Sequence, residues 1–428
     1  MLNELIESLK NPKLVSSFQS WCGVRCFPSC DTCTAKSRTC INSIASDSTS
    51  NERRHCYNEK CDSLRPRNLR STLENSSENG DSSANEYSTS DSSSESSTKL
   101  HYTITNRFNY YLFSFGAGLG YELFYASFFP IWFWNIDGAV GRRMVLIWVF
   151  VMYIGQALKD IVKWPRPASP PVVILEPEYA MEYGMPSTHA MVGSALPFSM
   201  LIFTYQRYEY SLWFGLLFAT LWCLLVCSSR LYLGMHSVLD IIAGLILSAT
   251  LLIILLPLVD VIDQFHLKSW YSPLISVPMI AVLAKVYPKS ERWSPARGDT
   301  CVIIGAGTGI LLGSWMNYQL GIIKGTGLTP PFPIIWPGFN VFGLALLRAI
   351  IGIICIIAVR ALGKVLVFSI MCYIHKLNPN DPETKVRSSV EVPCKLISYV
   401  AVGITVTYVS PAVFRFLNIE RETMFTEV

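Results

Sequence analysis

Three short stretches of this chain concentrate residue types that handle phosphate: KDIVKWPRP at 159–167, MPSTH at 185–189 and SRLYLGMHSVLD at 229–240. Lys159, Arg166 and Arg230 are cations able to hold a phosphoryl dianion and the charge that spreads over its oxygens during transfer. Arginine offers a two-pronged fork to phosphate, lysine a compact charge. Ser187 adds a hydroxyl at the start of a helix, where free backbone N–H groups also favour anions. His236 and Asp240, four apart at a helix start, share one face. A carboxylate there accepts one imidazole N–H, fixes the tautomer and leaves the other nitrogen basic, as a nucleophile requires. His189 is suited to protonate a leaving alkoxide and then to activate water. These residue types fit cleavage of a phosphate ester.

Each cluster stands at the end of a hydrophobic run. Charge-free runs occupy 144–158, 190–206, 211–229, 241–259, 269–284, 300–323, 325–347, 349–359, 365–375 and 396–414, and the aromatic-rich stretch 108–136 is broken only by Glu122. Crossing a bilayer takes about 20 mostly apolar residues, with shorter runs lengthened by polar flanks or accommodated by the bilayer. The pattern predicts an all-α fold, a polytopic transmembrane bundle of about 8–10 helices. Composition agrees: 51% of residues are hydrophobic and 15% charged, whereas a soluble domain is about 25% charged. A soluble enzyme is excluded. The net charge of +4 is spread without a basic patch, so no nucleic-acid partner is expected.

Parity places the clusters together. If the runs flanking them each cross once, all three lie on one membrane face, and Arg142, Arg143 and Arg207 on the other. The positive-inside tendency makes that other face cytosolic and the cluster face lumenal or external. Ionisable groups at such positions are expensive and mark function.

The chain divides into a polar, largely disordered cytosolic tail (1–107), a catalytic transmembrane core (108–260) and a C-terminal transmembrane extension (261–428). In the tail, Leu2, Leu5, Ile6 and Leu9 could line a short helix ended by Asn11-Pro12. The Cys-rich part, 22–61, holds seven of the 13 cysteines; Cys22, Cys26, Cys30 and Cys33 lack the usual paired zinc spacing, leaving zinc, acylation or idle thiols open. The Ser-rich part, 71–98, has 12 serines in 28 residues and cannot bury enough apolar surface to fold. Phosphorylation there would add charge. No basic segment followed by an apolar one opens the chain, so no cleavable signal peptide is expected.

The three clusters resemble the motifs K-x6-RP, PSGH and SR-x5-H-x3-D of the type 2 phosphatidic acid phosphatase superfamily. Thr188 stands where that superfamily usually has Gly. Within it, PSTH and the segments YELFYASFFPIWFWNID, GRRMVLIWVFVMYIGQALKDIVKWPRPASPPVV and LVSSFQSWCGV look like the sphingosine-1-phosphate phosphatases. The resemblance implies a metal-independent, cofactor-free lipid phosphate phosphatase of the endoplasmic reticulum, its site facing the lumen. It implies a phosphohistidine on His236, with Asp240 orienting it and His189 as acid and then base. Lys159, Arg166, Ser187, Thr188 and Arg230 would hold the phosphate.

A sphingoid phosphate carries an ammonium beside its phosphate, so one of Glu176, Glu178 and Glu182, between the first two motifs, is expected to pair with it. Rival readings are a hydrolase of the same superfamily acting on a sugar phosphate or on lysophosphatidate, a head-group phosphotransferase and a silent lipid-binding relative. Arg348 and Arg360 read as interfacial anchors, with a cavity-facing position as the alternative. Thr426-Glu427-Val428 resembles a C-terminal PDZ ligand.

Overall fold

A computed structural model describes residues 2–27, 101–179, 182–288, 295–325, 329–334 and 336–427. The expected disorder of the tail, its Ser-rich part and the cysteines from Cys30 to Cys61 fall outside the described residues.

The described residues are almost entirely helical: α1 (Leu2–Leu9), α2 (Pro12–Trp21), α3 (Arg107–Gly118), α4 (Glu122–Asn135), α5 (Gly138–Val162), α6 (Thr188–Tyr205), α7 (Leu212–Tyr232), α8 (Val238–Lys268), α9 (Ser272–Val286), α10 (Pro295–Gln319), α11 (Phe339–His375) and α12 (Ser388–Phe416). Six of them, α5, α7, α8, α10, α11 and α12, are long and apolar enough to cross a membrane. The shorter α4, α6 and α9 run beside them. Local chemistry sets the helix starts. Asp137, Ser187 and Ser237 are N-caps, each accepting from a backbone N–H in the first turn.

The bundle is apolar outside as well as inside. Leu217, Leu221 and Leu224 on α7, Ile253 and Ile254 on α8, and Ile354 and Ile357 on α11 are exposed. A helix face of this kind suits lipid, against which a packed aqueous surface would be wasted. Helices associate there through close packing rather than through exclusion of water. Gly305, Gly309 and Gly313 on α10 illustrate it: a β-carbon on these would lie 2.2–2.7 Å from Leu396 O, Val400 O and Thr407 Oγ1 of α12. The aromatic core of α4 and α5, with Tyr125, Phe129, Trp132, Trp134 and Trp148, packs inside.

Lys159, Ser187, Arg230 and His236 share one end of the bundle, called here the motif end. The far end has its own buried polar set. Arg142 binds Asp263 through two hydrogen bonds of 2.8 and 3.2 Å and donates to Glu427 O at 3.1 Å. Asp137 accepts from Arg207 at 2.5 Å and Tyr208 at 2.7 Å. Glu427 is 5% exposed and takes the Gly138 N–H at 2.5 Å. Arg348 is not an anchor: it is 3% exposed, donating to Asn135 Oδ1 and Ile419 O.

The amino-terminal segment departs from the expected tail. The predicted helix forms as α1, and Asn11 then caps α2. On α2, Gln19 is 1% exposed and donates to Val173 O at 2.7 Å and Tyr232 O at 2.9 Å. Residues 12–22 therefore pack at the motif end. A cytosolic position for them and a lumenal position for the motifs exclude each other.

Candidate active site

Four helix ends meet at the motif end: the C-termini of α5 and α7 and the N-termini of α6 and α8. Backbone hydrogen bonds lock the motifs together. Gly184 N donates to Trp164 O at 2.7 Å, joining the first motif to the segment before the second. Ser187 N donates to Asp240 O at 3.1 Å, joining the second to the third. A β-carbon on Gly184 would lie 3.0 Å from Pro165 O and 3.3 Å from Asp240 Oδ2, so the close approach depends on glycine.

His236 is 1% exposed in the turn between α7 and α8. Its Nδ1 lies 3.9 Å from Asp240 Oδ2, too far for a hydrogen bond. That oxygen instead accepts the Ser237 N–H at 2.7 Å, while Ser237 Oγ accepts the Asp240 N–H at 3.2 Å, a capping box opening α8. Asp240 Oδ1 and His236 Nδ1 have no partner among the described residues. Burial, with Arg166, Arg230 and Lys159 nearby, holds the His236 imidazole well below its usual pKa and therefore neutral.

Arg166 braces the site: Nε donates to Glu182 O at 2.8 Å and Nη1 to Met235 O at 2.7 Å, the residue before His236. Burial lowers its pKa to about 10, which leaves it charged at neutral pH. Lys159, buried near the end of α5, donates to Glu182 Oε2 at 3.1 Å. Arg230, near the end of α7, donates to Glu176 Oε2 at 3.2 Å. Burial would raise the Glu182 pKa, but Lys159 and Arg166 outweigh it and hold the carboxyl below its usual value.

His189 occupies the first turn of α6, with Nε2 unpartnered among the described residues. The Tyr121 ring meets it edge-on at 5.6 Å, and Gly120 leaves room for the imidazole. Thr188, in place of glycine, is accommodated by α5: its Cγ2 lies 3.1 Å from where a β-carbon on Gly155 would be.

The structure thus brings Lys159, Arg166, Ser187, Thr188, His189, Arg230, His236 and Asp240 together. Glu176 and Glu182 join them, on the cations. The side chain of Glu178 lies outside the described residues. Sequence reasoning missed Tyr121, whose hydroxyl donates to Glu176, and Tyr287, which donates to Asp160 beside Lys159 at 2.8 Å. It also missed Gln19, although LVSSFQSWCGV, which contains it, had been singled out.

Residues 141–262 match the PAP2 superfamily. The chain is 45% identical over 318 residues to sphingosine-1-phosphate phosphatase 1 of Rattus norvegicus, covering 74% of each protein. It is 42% identical over 329 residues to sphingosine-1-phosphate phosphatase 2 of Mus musculus, covering 76% of this chain and 92% of the relative. With the Homo sapiens sphingosine-1-phosphate phosphatase 2 it shares 41% over 320 residues, 74% of this chain and 80% of that one. No solved structure matches. The superfamily match takes in all three motifs, and with relatives 41–45% identical over about three quarters of its length the chain belongs to the sphingosine-1-phosphate phosphatase family of the PAP2 superfamily.

Proposed function

We propose that this protein removes the phosphate from sphingosine-1-phosphate and related sphingoid-base phosphates, a hydrolase step in sphingolipid metabolism that needs neither metal nor cofactor. The observation that carries the reading is the convergence of Lys159, Arg166 and Arg230 around a neutral, buried His236 with His189 close by.

The chemistry runs in two steps. His236 Nε2 attacks phosphorus as the ester P–O bond breaks, and His189 gives the departing alkoxide its proton. Water then attacks the phosphohistidine, His189 takes its proton, the N–P bond breaks, and phosphate leaves with His236 neutral again. The three cations stabilise charge on the equatorial oxygens in both steps. Ser187 and the first N–H groups of α6 add donors at a helix N-terminus. Asp240, anchored by the capping box, orients His236 through Nδ1 and leaves Nε2 for phosphorus. The apolar outer faces of the bundle bring the lipid chain to the site within the membrane.

The endoplasmic reticulum membrane is the proposed location, with the motif end lumenal and residues 12–22 on that same side. Arg142, Arg143 and Arg207 at the far end support the orientation, and Lys376, Lys385 and Arg387 beyond the motif end of α11 oppose it.

The test is phosphate release from sphingosine-1-phosphate by microsomes expressing the chain, in EDTA, beside His236→Ala. Release that survives EDTA and vanishes in the variant is expected. A variant that retains it refutes the nucleophile, and release from sugar phosphate alone would assign the site to water-soluble esters.

A further inference from the structure

Among the described residues three cations and three carboxylates meet at the site: Lys159, Arg166 and Arg230 against Glu176, Glu182 and Asp240. Their formal charges cancel. Two of the carboxylates do not belong to the reaction described above, yet they hold the groups that must hold phosphate. Glu182 Oε2 is 3.1 Å from Lys159 Nζ and 3.8 Å from Arg166 Nη2. Glu176 Oε2 is 3.2 Å from Arg230 Nη1, and its other oxygen takes the Tyr121 hydroxyl. Both glutamates come from the 176–182 stretch between the first two motifs rather than from a bundle helix. Among the described residues Arg230, 1% exposed, has its Nε unpartnered, as are His189 Nε2 and His236 Nδ1.

Resting on the phosphatase reading above, we propose that Glu176 and Glu182 occupy the phosphate's place in the empty enzyme and make it selective for phosphates that carry a neighbouring ammonium. A dianion entering among the three cations leaves a net charge of minus two if both glutamates stay. If both withdraw, the phosphate and Asp240 balance the three cations, and the two carboxylates are left beside the phosphate with no counter-ion. An ammonium two carbons from the phosphate oxygen supplies one. An alkyl phosphate without an amine brings nothing to the displaced carboxylates and is repelled by them. The expected pairing of a loop glutamate with the substrate ammonium is thereby kept, but as the second half of an exchange in which the glutamates first give up Lys159, Arg166 and Arg230.

The test is binding, measured in the full chain carrying His236→Ala so that nothing turns over. The probes are O-phosphoethanolamine, which has the ammonium, and propyl phosphate, which lacks it. Protection against thermal aggregation in detergent reports their affinities. The His236→Ala chain should prefer phosphoethanolamine. Adding Glu176→Gln and Glu182→Gln should tighten propyl phosphate roughly tenfold and erase the preference, the size expected for one charge-assisted hydrogen bond. Each single glutamine variant, isosteric and still able to accept from its cation, should show part of the shift if the double variant does not fold. An unchanged preference overturns the proposal, as does weaker binding of both probes in the glutamine variants. Loss of sphingosine-1-phosphate hydrolysis in the parent chain would overturn the functional reading instead, and these binding results do not depend on it.

Discussion

Gln19→Ala removes the side chain that ties the loop after the first motif to the turn before His236. The amide donates to Val173 O and Tyr232 O at 2.7 and 2.9 Å and accepts from Val173 N at 3.0 Å. Three buried backbone groups lose their partner, at about 1 kcal/mol each, or about 3 kcal/mol together. Water reaching the end of the bundle lowers that figure, so the larger effect falls on geometry. Gly234, two residues before His236, has φ +71° and would place a β-carbon 2.2 Å from Val173 O and 3.0 Å from Gln19 Nε2. The turn is therefore moulded against the very loop that Gln19 holds. Misplacing a reacting group by about 1 Å costs on the order of a hundredfold, and a partial shift here predicts a kcat lower by about ten- to a hundredfold. KM should change little, because Gln19 touches none of Lys159, Arg166 and Arg230. Gln19→Glu sharpens the test: it keeps the size and the bond from Val173 N, but turns a carboxylate onto two carbonyl oxygens, and should do at least as much damage as alanine. The assay is the initial rate of phosphate release by microsomes, normalised to the amount of each variant by immunoblot. Wild-type kcat in both variants, or a rise in KM with kcat intact, would refute the reasoning.

Two further outcomes follow from the same geometry. Burial and three cations depress the His236 pKa, so the neutral nucleophile persists as pH falls below the ordinary histidine value of about 6.5. The sign is that protonation, and with it the loss of kcat/KM, comes only at lower pH. After correction for the ionisation of the substrate, the acid limb of kcat/KM should lie below that value, and an acid limb centred at or above it would refute the depressed pKa. For orientation, a glycan acceptor inserted between residues 376 and 387, beyond the motif end of α11, should be modified in microsomes, and so should one placed ahead of α1. Modification of an acceptor at the far end instead would put the active site in the cytosol.

What could be read from the sequence was whatever is local. Apolar runs gave the helices, because burial in lipid requires them to be long and uncharged. The caps at Asp137, Ser187 and Ser237 are local too, one residue type a few positions before the N–H it satisfies. The motif residues were legible because cations, histidines and an aspartate at the ends of apolar runs have few other uses. Gln19 lies 154 residues from Val173 and 213 from Tyr232, and no period or composition announces such a contact. Tyr121 and Tyr287 were hidden for the same reason. The glutamates stand between these cases: their charge marked them as candidates, but only proximity could say that cations of the site, and not solvent, were their partners.

Asp240 shows a spacing that supports two readings at once. Four residues after His236 it would share a helix face with the imidazole had the helix begun there, and three residues after Ser237 it is the third residue of a capping box. The structure satisfies the cap and leaves the imidazole 3.9 Å away, beyond the upper limit of about 3.2 Å for such a hydrogen bond. A carboxylate fixed by the start of its own helix cannot follow the histidine. His236 sits in a turn, outside that helix, with Nδ1 unpartnered among the described residues. If Asp240 is to orient the proposed nucleophile, His236 rather than the aspartate must close that gap, because the carboxylate is already held by the fold.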